Sequence, residues 1–139
     1  MVSFGMRYLV FLFALLLPTL TFANDRPITP DEFERIVKGE TFSYLGPSGE
    51  YGVEEYFDNR RVRWSFLDGE CTDGYWYIDG PQVCFIYESN TIQNPQCWSF
   101  YLRGDRLMAK YENDASNQTL IETRRRDGPL YCLGPEVGA

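Results

Sequence analysis

Residues 75–88, YWYIDGPQVCFIYE, indicate a β-hairpin. A Gly-Pro pair in the middle supplies the turn, and the flanking segments are rich in the aromatic and β-branched residues typical of strands. In the second segment Val83, Phe85 and Tyr87 share one face of the strand. Cys84 lies between them in sequence and therefore on the opposite face. This stretch places the chain among the β proteins.

The same alternation continues on both sides of the hairpin, with turn residues at short intervals. The predicted strands are 41–45, 53–57, 62–67, 75–79, 82–88, 97–103, 106–112 and 118–123. Because no helical crossover separates them, neighbouring strands should pair antiparallel. We expect a mainly β fold, a small antiparallel meander curled into a lipocalin-like barrel or sandwich of about eight strands. Closure into a barrel removes exposed edges, so the barrel is preferred.

One short helix is predicted before the strands. Thr29 is a capping residue, Pro30 fits the first helical position, and Glu32 stands where a capping box requires an acid. Gly39 is a typical residue beyond a helix end. These signals predict a helix over residues 30–38.

The N-terminal 23 residues have the pattern of a secretory signal peptide. Arg7 gives a positive start, an apolar run follows over residues 9–20, and Ala23 ends a small-residue cleavage site. A retained anchor is the alternative, but the apolar run is short of the roughly 20 residues that span a bilayer. We therefore expect a signal peptide over 1–23 and one disulfide-bonded β domain over 24–139. The mature protein would be periplasmic or secreted, with membrane contact only through the uncleaved signal.

Four cysteines are predicted to form two disulfides, because export leads to an oxidising compartment. A zinc site is the competing interpretation, and the lack of histidine and of C-x-x-C pairs speaks against it. On its strand Trp98 points to the aromatic face, which leaves Cys97 on the same side as Cys84. This parity favours a Cys84–Cys97 bridge and leaves Cys71 for Cys132, although sequence alone leaves other pairings open.

Charge and composition argue against several functions. The formal net charge of −7 disfavours nucleic acid and would attract a cationic protein. Without histidine the chain has no Ser-His or Cys-His pair, and oxidised cysteines cannot act as nucleophiles. Glu54 and Glu55 are adjacent on a strand and should face opposite sides, whereas a hydrolase would need two carboxylates facing each other. We expect no enzymatic activity, no cofactor and no metal.

The order of motifs resembles a domain family of unknown function found in small exported proteins of Gram-negative bacteria. The resemblance covers residues 31–112, and its marks are KGET at 38–41, GVEEYF at 52–57, GYWYI at 74–78 and CWSFY at 97–101. It implies a periplasmic location and a β fold. It also supports the Cys84–Cys97 bridge, because similar sequences often carry those two cysteines alone. The resemblance implies no activity.

Two classes of binding function remain open. The first is a lipocalin-like binder of a small apolar or envelope-derived ligand. Its cavity would be lined by Trp64, Trp76, Trp98, Phe100 and Tyr87. The second is a protein-interaction module, such as an inhibitor of a cationic wall-degrading enzyme, with a filled interior and an acidic, tyrosine-rich outer surface. The packing of the interior distinguishes the two.

Overall fold

A computed structural model describes residues 24–89 and 94–132; the predicted signal peptide, residues 1–23, lies outside these ranges. The regular elements are β1 (Arg26–Pro27), α1 (Pro30–Val37), β2 (Glu40–Gly46), β3 (Gly49–Tyr56), β4 (Arg61–Ser65), β5 (Thr72–Asp79), β6 (Gln82–Tyr87), β7 (Gln96–Arg103), β8 (Arg106–Tyr111) and β9 (Thr119–Asp127). A single 3-10 turn, Asp58–Arg60, precedes β4. In the described part of the chain, no helix is long and apolar enough to cross a bilayer.

Strands β2 to β9 form a closed antiparallel barrel. Each strand pairs with the next, and β9 returns to pair with β2, where Arg126 lies opposite Thr41. β1 is an extra strand on β7, with Arg26 opposite Leu102. Closure pairs every barrel strand on both sides. The predicted mainly β fold with one short helix is confirmed, and of the two predicted architectures the structure is the barrel.

Strand ends differ from the prediction where side chains compete for backbone hydrogen bonds. β4 was expected to reach residue 67 but ends at Ser65. The Ser65 hydroxyl accepts a hydrogen bond from the Leu67 backbone N–H at 3.0 Å, and Leu67 has a φ of +67°. Such a turn removes the next residues from the strand ladder. β3 begins earlier than expected, and β9 continues to Asp127.

The two ends of the barrel are built differently. We call one the helix end, because it carries α1 together with the turns at 57–60, 80–81 and 104–105. The other, the loop end, carries the connections at 47–48, 66–71 and 112–118. This arrangement follows from the sequential antiparallel order, since alternate turns of a meander lie at opposite ends.

Helix α1 closes the helix end through Phe33, which is fully buried. Its ring centroid lies 4.1 Å from that of Phe100, 5.3 Å from Trp76 and 5.7 Å from Tyr56. The last two pairs are edge-to-face, an arrangement that aromatic rings favour. Phe33 is thus the plug of the barrel.

The start of the helix follows the predicted capping pattern in part. The Thr29 hydroxyl accepts a hydrogen bond from the Glu32 backbone N–H at 3.2 Å. The Glu32 carboxylate, however, binds the guanidinium of Arg26 at 2.7 Å instead of completing the capping box. The helix ends at Val37, one residue before the predicted end.

Both disulfides join the cysteine pairs favoured by parity. Cys84 and Cys97 lie directly opposite each other on β6 and β7, with a Cα–Cα distance of 4.0 Å. Cys71, in the loop before β5, is bonded to Cys132, with a Cα–Cα distance of 5.7 Å. The first bridge fastens a hairpin, and the second fastens the C-terminal segment to the loop end.

The segment after β9 lies across the outside of the barrel. The Thr41 hydroxyl on β2 donates to the carbonyl of Gly128 at 2.6 Å. One strand further, the Leu130 N–H donates to the carboxylate of Glu55 at 3.2 Å. The segment then reaches the bridge at Cys132. Glu55 therefore has a structural partner on the outer face.

Candidate functional site

A cavity of about 140 Å³ lies inside the loop-end half of the barrel, above the layer of rings packed on Phe33. Most of its wall is aromatic. The lining residues are Tyr44, Tyr51, Glu54, Tyr56, Trp64, Phe66, Thr72, Phe85, Tyr87, Ser89, Gln96, Trp98, Phe100, Ala109 and Leu120. Such a wall suits an apolar ligand, and the few polar groups would fix its orientation.

Four of the five predicted ligand-binding residues line this cavity: Trp64, Trp98, Phe100 and Tyr87. Trp76 does not. It points inward as expected, but it lies at the helix end, where Phe33 packs on its ring and the Arg60 guanidinium lies 4.8 Å from the ring centroid. Alternation along a strand gives the face of a residue but not its height in the barrel, and Trp76 lies outside the lining of this cavity.

Gly52 makes room for Trp64 in the wall. The two residues lie on neighbouring strands, β3 and β4, and a Cβ atom at Gly52 would overlap the six-membered ring of the indole. Any larger residue would push Trp64 into the cavity or out of the barrel. The glycine therefore shapes the wall although it is not one of the lining residues.

Glu54 is the polar centre of the cavity wall. It lies on β3 between Gly52 and Tyr56 and is 1% exposed. The Tyr87 hydroxyl donates a hydrogen bond to its Oε1 at 2.8 Å. Its Oε2 is buried and has no hydrogen-bond partner among the described residues. A buried polar atom without a partner is rare in proteins and calls for an explanation.

Burial controls the protonation of this carboxyl group. Removal from water raises the pKa of Glu54 well above its usual value, and the hydrogen bond from Tyr87 opposes this only in part. Burial also raises the pKa of Tyr87. Nearby, the hydroxyls of Tyr44 and Tyr56 are 2.8 Å apart and hydrogen-bonded to each other. The cavity wall therefore favours the neutral forms of these side chains.

Glu122 shows how a buried carboxylate is satisfied elsewhere in the same barrel. Its two oxygens bind the Arg125 guanidinium at 2.8 and 2.9 Å. The backbone N–H of Leu107 donates to it at 2.8 Å. Glu122 thus has a structural role, whereas Glu54 lines the cavity and has one buried oxygen without a partner among the described residues.

No protein-family model, curated protein or solved structure matches this chain. The resemblance to exported Gram-negative proteins stays a prediction from its motifs.

Sequence reasoning missed Glu54 as a site residue. It weighed Glu54 only as half of a carboxylate pair with Glu55, and correctly placed the two on opposite faces. The signal available in the sequence was the period of two along the strand. Glu54 and Tyr56 are two residues apart and share one face, so an inward Tyr56 implies an inward carboxyl group at residue 54. Among the described lining residues Glu54 is the one carboxyl group. The described lining therefore lacks the pair of carboxylates that glycoside hydrolysis uses.

The tyrosines divide between the interior and the surface. The amino-acid sequence alone does not distinguish tyrosines of an outer contact surface from tyrosines of a ligand-binding wall. Tyr44 and Tyr87 are buried and line the cavity, whereas Tyr75 is 39% exposed on the outside of β5. Tyr77 and Tyr101 are half-buried. Part of the aromatic content thus belongs to the inner site.

Proposed function

We propose that this protein is a lipocalin-like binder that holds a small, mostly apolar molecule inside its barrel. The cavity at the loop end carries the proposal. A protein-interaction module would be expected to fill its interior, because its binding surface lies outside. A shaped, aromatic-walled cavity instead favours a ligand within the barrel.

The volume limits the ligand to about one ring. An apolar cavity of roughly 150 Å³ accepts benzene, and the cavity here measures about 140 Å³. Long acyl chains and polycyclic molecules would require the barrel to open further. A single ring with a short polar substituent fits the size of the cavity and the one carboxyl group among its described lining residues.

The same proposal includes export. Two disulfides support an oxidising compartment, because such bonds are rare in the cytosol. A periplasmic or secreted binder is also what the motif resemblance implies. The ligand would then come from the cell envelope or the surroundings, and no enzymatic step is assigned.

Filling the cavity tests the proposal. In Ala109→Leu, added carbon atoms occupy space that the ligand would use, since Ala109 lines the cavity. With toluene as the probe, we expect calorimetry to give a Kd on the order of 0.1–1 mM for the unmodified protein. The variant should bind at least about 10-fold more weakly, a loss of about 1.4 kcal/mol.

Lys110→Leu is the matched control, because residue 110 follows Ala109 on β8 and faces outward. It should bind toluene as the unmodified protein does. Equal binding by Ala109→Leu, or no toluene binding by any form, would contradict an interior site. Capture of a protein partner by all three forms would instead favour an interaction module.

A further inference from the structure

The carboxyl oxygen Oε2 of Glu54, which has no hydrogen-bond partner among the described residues, indicates the chemistry of the ligand's polar group. We propose that the cavity selects a small primary amine, whose ammonium group binds Oε2 of Glu54 while its apolar part lies against Trp64 and Trp98. This inference rests on the proposed interior binding. It adds the class of ligand and assigns Glu54 as the residue that determines specificity.

The described cavity wall offers no positive charge to an anion. Its described lining residues include no lysine or arginine, and the whole chain has no histidine. A carboxylate or phosphate ligand would meet Glu54 without compensation, and burying an unpaired charge is strongly unfavourable. The overall charge of −7 attracts cations instead.

Aromatic rings complete a site for an ammonium ion. Trp64 and Trp98 line the same cavity as Glu54, and Tyr44 and Phe85 add further rings. Ring faces carry partial negative charge and attract cations, with indole the strongest. An ammonium group has three N–H donors. One N–H can donate to Oε2. The attraction of the ring faces compensates the ammonium group for part of the hydration that it loses on entering the cavity.

Binding should release a proton. Burial favours the neutral carboxyl group in the free protein, whereas the ammonium ion requires a carboxylate beside it. The proton that leaves Glu54 passes to the solvent, and the amine keeps its own. The other titratable groups facing the site are Tyr44, Tyr51, Tyr56 and Tyr87, and burial raises the pKa of each. They stay neutral over the range of about pH 5 to 9.

Three ligands of nearly equal shape test the inference: benzylamine, benzyl alcohol and toluene. Calorimetry on the full-length protein at neutral pH should give benzylamine an affinity at least about 10-fold above toluene. Titration in two buffers of different ionisation enthalpy should show a net release of protons on benzylamine binding and none for the neutral ligands. These comparisons need no variant.

Glu54→Gln keeps the size of the side chain and removes its charge. We expect benzylamine binding to fall about 30-fold or more, with toluene binding within about threefold of the unmodified protein. Glu50→Gln is the control, because Glu50 is exposed on the same strand and its loss changes the net charge equally. That control should bind all three ligands normally.

The outcomes separate this inference from the proposed function. If toluene or benzyl alcohol binds as tightly as benzylamine, or if Glu54→Gln keeps full benzylamine affinity, the amine assignment is wrong and interior binding stands. If no ligand binds, both fail.

Discussion

At the scale of single residues, the three buried glutamates of this barrel have different roles. Glu55 accepts a backbone N–H from the C-terminal segment, and Glu122 is held by Arg125 and a backbone N–H. Of the three, Glu54 is the one with a fully buried oxygen that has no hydrogen-bond partner in the described structure. A buried oxygen without a partner destabilises the free protein. Such unfavourable groups are found most often at functional sites, which makes Glu54 a candidate binding residue.

The burial of Glu54 makes stability depend on pH. An unfolded chain releases this proton near about pH 4.3, whereas burial raises the folded pKa well above that. Between the two values the folded state binds the extra proton, so folding becomes less favourable as pH rises. We expect Glu54→Gln to remove a decline of up to about 1.4 kcal/mol per pH unit.

Urea unfolding at several values between about pH 4 and 8 measures this effect. The free energy of unfolding of the unmodified protein should fall relative to Glu54→Gln as the pH rises. Glu50→Gln should follow the unmodified protein. Parallel profiles for all three would show that Glu54 titrates normally and is not buried as described.

Individual residues also mark the limit of sequence reasoning. Alternation placed Trp64, Trp98 and Tyr87 on the inner face, because a strand has a fixed period of two. It could not separate Trp76, at the helix end, from the residues of the cavity. That separation depends on Phe33, which comes from a distant part of the chain and fills the space beside Trp76.

At the scale of elements, helix α1 acts as a plug rather than as a layer on the sheet. Its capping residue, Thr29, and the glycine beyond its C-terminal end, Gly39, could be identified from the sequence. Its docking site was not, because a stripe of apolar residues predicts a buried face but not its partner. The short strand β1 escaped prediction because its pairing on β7 is set by tertiary contact.

The plug should be a major source of stability. Phe33→Ala removes a fully buried ring that contacts four other aromatic residues. We expect a loss of about 3–5 kcal/mol in the free energy of unfolding, measured with urea. Ile36→Ala, on the same helix but only partly buried, should lose less. Equal small losses would show that α1 is not packed into the barrel.

At the scale of the whole molecule, the helix-end half of the barrel is filled with side chains, whereas the loop-end half contains the cavity. The aromatic rings at the helix end, together with Phe33, form a packed core. Above them, the small side chain of Ala109 lines the cavity, and Gly52 makes room for Trp64 in the wall. Barrel closure could be expected from the meander pattern, but the cavity could not, because it depends on how side chains from all strands share the interior.

A crystal structure of the protein grown with benzylamine tests the central claim most directly. It should show the ring of the ligand inside the loop-end half, against Trp64 and Trp98. Its nitrogen should lie about 2.7–2.9 Å from Oε2 of Glu54. A collapsed interior, or benzylamine bound only on the outside of the barrel, would contradict the account.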